Sequence, residues 1–256
     1  MSLALGLIKE CAEIGVKVFR KILFVVCLSV SAFFADASEL KEEALKSVFK
    51  PSFASTEGEQ KAGTAFVVKY KEHFYAVTAH HLFSEAGGFS REYNWKELQS
   101  LVSEVSLQSL SDEETKYSTD KAIKIKGAKS VSNWTGKNDI AIFMLNQKPA
   151  NYLALAESPP KVGETVWLYG LVYNRSPELL LHKAVVVEYD KNWISYQFAD
   201  SGLTLNGTSG AAILNSRGQV VGINLSGGKQ EGKLYGYGNP LVSIQSIFKK
   251  YVQLKP

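Results

Sequence analysis

The sequence predicts an all-β fold, and three observations predict it. Short runs rich in β-branched and aromatic residues recur along most of the chain, each closed off by Gly, Asn, Asp or Ser. Helical periodicity is confined to a few brief stretches. The chain after residue 37 is long enough to bury one large β domain or two small ones. Strand spacing alone leaves paired barrels and a sandwich both open.

The first 37 residues stand apart. Lys17, Arg20 and Lys21 form a positive flank, and Ile22 to Phe34 is an apolar run the length of a secretory h-region. Ala35-Asp36-Ala37 then presents small residues at both positions a signal peptidase reads. The apolar run is short for a bilayer span. Residues 1–37 are therefore expected to be a signal peptide, with the protein exported (periplasmic or secreted) and no stable membrane association after cleavage. An uncleaved anchor is the alternative. Both cysteines, Cys11 and Cys27, fall in this segment, so the mature chain holds no thiol and relies on its core rather than on disulfides.

The whole chain carries 29 basic and 25 acidic residues, a formal charge of +4. Removing the leader's four basic and three acidic residues leaves 25 against 22, or +3. That balance is mild and dispersed, and it argues against a nucleic-acid partner.

Ser38 to Lys50 is charged and helix-compatible. Thr64 to Val68 and His73 to Thr78 read as two strands of a hairpin around a Lys71-Glu72 turn. Leu82 to Gly136 is the least regular stretch. Glu92 to Val102 suits a short amphipathic helix with Trp95, Leu98, Leu101 and Val102 on one face, and Ser109 to Thr119 suits an exposed loop. Ile123 to Ile125 and Ile140 to Leu145 resume strand character. Asn146 to Pro160 reads as a connector between residues 38–150 and 151–256. Further strands are expected at Thr165 to Leu171, Ala184 to Glu188, Trp193 to Phe198, Ala211 to Leu214 and Val220 to Leu225. Leu241 to Tyr251 suits a closing helix.

Three local patterns carry chemistry. Val77-Thr78-Ala79-His80-His81-Leu82 ends the hairpin, Asn138-Asp139-Ile140-Ala141 leads into a strand, and Asn206-Gly207-Thr208-Ser209-Gly210 sets a serine between glycines. A serine hydroxyl is a weak nucleophile at neutral pH. It needs an imidazole to take its proton, and the imidazole needs an acid to fix its tautomer. His81, Asp139 and Ser209 can fill these roles. Gly207 can adopt the positive φ that turns its N–H toward a developing oxyanion, beside the Ser209 N–H. Two imidazoles are adjacent, so His80 stays a candidate base. The histidines lack metal-ligand spacing with carboxylates, and neither a metal nor another cofactor is expected.

These motifs resemble those of the trypsin-like serine proteases, most closely the bacterial branch poor in disulfides that includes glutamyl endopeptidases and Htr-type enzymes. Thr78-Ala79-His80-His81 matches the Thr-Ala-Ala-His pattern, with His81 in the base position and His80 in a small-residue position. Asp139-Ile140-Ala141 matches the acid's pattern, and Gly207, Ser209 and Gly210 match the nucleophile's. Gly63-Thr64-Ala65-Phe66 and Gly222 to Gly227 resemble the strands before the histidine hairpin and beside the substrate. The resemblance implies two packed antiparallel β-barrels with a short C-terminal helix, and a serine endopeptidase acting on proteins or peptides through an acyl-enzyme. His81 and Asp139 would belong to the first barrel and Ser209 to the second.

It also implies a substrate-binding wall of Leu203, Thr204, Asn206, Asn224, Leu225, Ser226 and Gly227. Leu203 stands where basic-specific relatives carry an aspartate, which disfavours Lys or Arg. Thr204 and Asn224 could bond a polar or acidic side chain, so the expected preference is uncharged or acidic. Thr208 stands where digestive relatives carry the aspartate that pairs with a freed N-terminal ammonium, which implies no activation of that kind. An esterase on an α/β sheet predicts Gly-x-Ser-x-Gly and the order Ser, Asp, His, whereas Ala211 follows Gly210 and the order here is reversed. A catalytically inactive, protease-like binding protein is the remaining alternative.

Overall fold

The computed structural model describes residues 46–131, 135–176 and 179–252. The expected signal peptide lies outside the described residues, as does the segment from Ser38 to Leu45. The described residues fall within one compact unit, 41–256.

Seven strands form the first sheet: β1 (Val48–Ser55), β2 (Gly58–Lys61), β3 (Ala65–Tyr70), β4 (His73–Thr78), β5 (Val102–Ser109), β6 (Lys116–Thr119) and β7 (Ala141–Met144). Their order is β6-β5-β1-β3-β4-β7, with β2 added on β1. The two ends of this sheet meet at a short seam after β6. One bridge joins Ala122 to Phe143. The Ile123 N–H donates to Ile142 O (2.8 Å), and the Met144 N–H donates to Lys121 O (2.9 Å). The second set is β8 (Thr165–Tyr169), β9 (Leu181–Tyr189), β10 (Ile194–Phe198), β11 (Ala212–Leu214), β12 (Val220–Gln230) and β13 (Lys233–Pro240). It closes fully as β10-β13-β12-β11-β8-β9.

The expected hairpin is β3–β4, with Lys71 at φ 53° in its turn. The expected tail is the helix Leu241–Tyr251. Its apolar face buries Ile244, Ile247 and Phe248 in the core of the first sheet. There the Phe248 ring meets Tyr70 and Tyr75 at 5.0 and 5.7 Å. Each fully buried aromatic of this kind contributes about 2–3 kcal/mol of burial free energy.

Several expectations fail for identifiable reasons. Val48 to Lys50 are strand, not helix, because β1 threads through the first core with Val48 and Phe49 fully buried. Pro51 hid this strand. It is tolerated because β1 changes partner there: residues 48–49 pair with β3, residues 52–55 with β2. The helix expected from Glu92 shrinks to the single turn Leu98–Leu101, and Val102 opens β5. Lys116–Thr119, expected as loop, is β6. The stretch 82–136 thus supplies two strands of the sheet. β13 escaped notice because Gly236 and Gly238 read as turn residues. A Cβ on Gly236 would lie 2.3 Å from the Tyr196 ring, and one on Gly238 would lie 2.3 Å from Ile223 O. These glycines permit close approach inside the closed barrel.

Candidate active site

The register of two neighbouring strands creates the first half of the site. β4 and β7 pair antiparallel with Thr78 opposite Ala141. The end of one and the start of the other therefore emerge together. His81 follows β4 on a 3-10 turn, His80–Phe83, and Asp139 precedes β7. The Asp139 carboxylate is 1% exposed. It accepts three hydrogen bonds: from the His81 N–H (2.9 Å), from His81 Nδ1 (2.8 Å) and from the Val131 N–H (3.2 Å). A buried carboxylate without a proton is acceptor only, so Nδ1 carries the hydrogen and Nε2 is left as a base.

The adjacent imidazole faces elsewhere. His80 is 1% exposed, and its Nε2 bonds the Tyr93 carbonyl at 2.9 Å. Desolvation by the surrounding core pushes its pKa below the ordinary value of 6.5. The ring that meets Asp139 is His81.

Ser209 sits in a loop just before β11. The Thr208 N–H donates to Leu205 O at 3.1 Å, and Gly207 has φ +81°. Together these define a type II turn, whose third position favours glycine. Gly210, at φ +86°, has no room for a side chain: a Cβ would lie 2.3 Å from both Thr64 O and Thr78 Oγ1, and 3.0 Å from Ala79 N. Gly63 is equally confined, with Ser209 O at 2.7 Å and Leu82 Cδ1 at 2.4 Å from its ideal Cβ. The loop therefore packs against residues on both sides of His81.

Thr64 ties the two halves together. Its N–H donates to Ser209 O, and its hydroxyl donates to Gly207 O, each at 2.8 Å. Among the described residues, neither the Gly207 N–H nor the Ser209 N–H meets an acceptor, whereas Thr208, Gly210 and Ala211 all donate to backbone carbonyls. The two amide donors that flank Thr208 are thus left free. The Ser209 hydroxyl donates to Leu225 O at 3.3 Å.

The expected substrate wall divides. Ser226 and Gly227 are exposed on β12. β12 pairs with β11 only as far as Ile223, yet with β13 as far as Gln230. One edge from Leu225 onward is open beside Ser209, and an extended peptide can add to it. Thr204 and Asn206 are exposed, and the Thr204 N–H bonds Asn174 Oδ1 at 2.8 Å. Leu203 is 5% exposed and packs in the second core. Asn224 does not fit its expected place. It is 1% exposed, and its amide is consumed by Thr208 and Tyr196. It turns inward to meet Thr208 and Tyr196, and Leu225 beside it is also buried, at 3% exposed.

Sequence reasoning missed two residues here. The role of Thr64 lay hidden because its partners are 143 and more positions away. Tyr173, an exposed ring in the β8–β9 loop, lies 3.1 Å from where a Gly207 Cβ would stand. An aromatic in a turn-rich loop was the available signal.

Residues 63–223 match the family model for the trypsin-like peptidase domain. That span exceeds half of the chain, and the chain belongs to the trypsin-like peptidase family. It is thereby a serine-type endopeptidase with a chymotrypsin-like fold, and its substrates are proteins or peptides. No curated protein sequence matches it. The active form of the Rv3671c protease from M. tuberculosis is 16% identical with a TM-score of 0.54, over 83% of this chain and 84% of that one. The inactive form of the same protease gives 16%, 0.53, 82% and 91%. The serine endoprotease from Yersinia pestis is 15% identical with a TM-score of 0.56, over 83% of this chain and 65% of that one. At such identities the likeness is one of fold.

Proposed function

We propose that Ser209 is the nucleophile of this endopeptidase, His81 its general base and Asp139 the acid that orients His81. The observation that carries this reading is the paired hydrogen bond from His81 to a buried Asp139. The peptide lies along the open edge of β12. In this reading the Ser209 hydroxyl leaves Leu225 O and passes its proton to His81 Nε2 as Oγ attacks the carbonyl carbon. The Gly207 and Ser209 N–H groups receive the oxyanion. His81 then gives its proton to the leaving amine, and water repeats the sequence on the acyl-enzyme.

For the side chain before the scissile bond, Leu203 disfavours Lys and Arg. With the Asn224 amide consumed, acidic side chains lose a partner, and we favour an uncharged residue. Profiling a peptide library checks this, and dominant cleavage after Arg, Lys or Glu contradicts it. We also propose export with cleavage after Ala37, supported by the basic, apolar and small-residue pattern of residues 17–37.

A fluorophosphonate probe tests the site. Labelling is expected on Ser209, abolished in Ser209→Ala and His81→Ala, and kept in His80→Ala. Labelling lost in His80→Ala but kept in His81→Ala reverses the assignment of the base. A well-folded chain that does not label at all supports the inactive binding protein instead.

A further inference from the structure

Buried polar side chains in a barrel core need a reason to be there. Three of them, two behind the Ser209 loop and one within it, bond none of the groups that exchange protons. Tyr196 is fully buried on β10, and its hydroxyl donates to Asn224 Oδ1 at 2.6 Å. Asn224 Nδ2 donates to Thr208 Oγ1 at 2.9 Å and to Thr208 O at 3.1 Å. Thr208 Oγ1 donates in turn to Leu205 O at 2.6 Å. The Asn224 backbone completes the frame: its carbonyl accepts from the Gly210 N–H and its N–H donates to Ala211 O, both at 2.8 Å. Every one of these bonds except that between Tyr196 and Asn224 ends on the loop from Leu205 to Ala211. The chain of donors has one direction, Tyr196 to Asn224 to Thr208 to Leu205.

We propose that Tyr196, Asn224 and Thr208 form a neutral brace that holds this loop in its oxyanion-receiving shape. The argument is geometric. The type II turn over Leu205–Thr208 decides where the Gly207 N–H points, and the brace fixes both ends of that turn. Thr208 is held through its hydroxyl and its carbonyl, and Leu205 through its carbonyl. From the other side Thr64 grips Gly207 O and Ser209 O. The loop is thus clamped between the two β units, and the Gly207 and Ser209 N–H groups on either side of Thr208 stay free to receive an oxyanion. Among the described residues, no carboxylate, ammonium or imidazole bonds any of the three brace side chains. An aspartate at position 208 would need a cationic partner, and threonine needs none. The brace therefore forms with folding itself and requires no newly cut chain end. Gly236 belongs to it passively, since a side chain there would strike the Tyr196 ring.

This inference rests on the proposed catalytic reading, and the three residues are positioning residues within it. The test measures the rate of fluorophosphonate labelling of Ser209, and kcat and KM on a peptide p-nitroanilide chosen by library profiling. Thr208→Val keeps the volume and removes the hydroxyl, while Thr208→Ser restores it. Thr208→Val and Asn224→Ala should lower kcat and labelling rate about tenfold to a hundredfold with KM little changed, and Thr208→Ser should recover most of the loss. Asn224→Asp adds a signature that simple destabilisation does not produce. Its neutral acid can still donate to Thr208, but its carboxylate cannot. Activity relative to wild type should therefore be near normal at low pH and fall as the introduced carboxyl ionises. Circular dichroism identifies the folded variants, and the isosteric Thr208→Val carries the test where Asn224→Ala does not fold. If wild type labels at Ser209 and folded Thr208→Val labels within about twofold of it, the brace is refuted alone. If wild type never labels, the catalytic reading falls and the brace with it.

Discussion

The first sheet presents His81 and Asp139 from the ends of two hydrogen-bonded strands, whereas the closed barrel presents Ser209 from a loop flanked by positive-φ glycines. The first arrangement is stiff through register, because moving His81 relative to Asp139 would shift the β4–β7 ladder. The second is stiff through confinement, because the loop has no ladder of its own and is gripped from outside by Thr64, Thr78 and Asn224. The supporting frames differ in the same sense. The first sheet closes through one bridge beside the acid's strand, while the barrel behind the serine loop closes by continuous pairing. A charge pair can be positioned by neighbouring strand ends. Free amide donors must be positioned by a loop whose neighbouring carbonyls and amides are engaged.

The largest effect that would sharpen this contrast comes from the register side. Asp139→Asn keeps shape but can offer an amide N–H to Nδ1, which reverses the tautomer and removes the base. We expect kcat to fall about ten-thousandfold while stability changes little. Steady-state kinetics beside a thermal melt would show it, and a mere tenfold loss would mean that the acid is dispensable.

On the confinement side, Gly210→Ala forces a Cβ into Thr64 O and Thr78 Oγ1 at a φ that alanine resists. We expect a loss of about 3 kcal/mol or more, read by urea unfolding, together with loss of labelling at Ser209. Wild-type stability in that variant would show that the loop is loosely held.

The smallest effect concerns the second imidazole. Burial holds His80 and His182 below their ordinary pKa of 6.5. As pH falls below about 6.5, the unfolded chain takes up protons that the fold does not, and stability declines. His80→Ala should flatten this acid limb, cost about 2 kcal/mol at neutral pH through the cavity and the lost bond to Tyr93, and leave Ser209 labelling intact. Melting temperatures across pH would check it, and an unchanged acid limb would remove His80 from that account.

Much of the candidate site was legible because its signals are local. A small-residue strand end before a histidine, an aspartate before an apolar strand and glycines around a serine each report a backbone requirement that neighbouring residues alone impose. The hairpin and the final helix were legible for the same reason: period 2 and period 3.6 are written in consecutive side chains. Tertiary structure decided the rest. Which of two adjacent imidazoles meets the carboxylate follows from how β4 and β7 align; the residues around position 80 pointed to His81 only through the family resemblance. Asn224 turns inward because Thr208 and Tyr196 await it across the barrel. Gly236 and Gly238 became strand, not turn, because Tyr196 and the Ile223 backbone press against them. Local sequence sets what each segment can do with its own backbone, and only contact between distant segments decides which of those options buries a side chain and which exposes it.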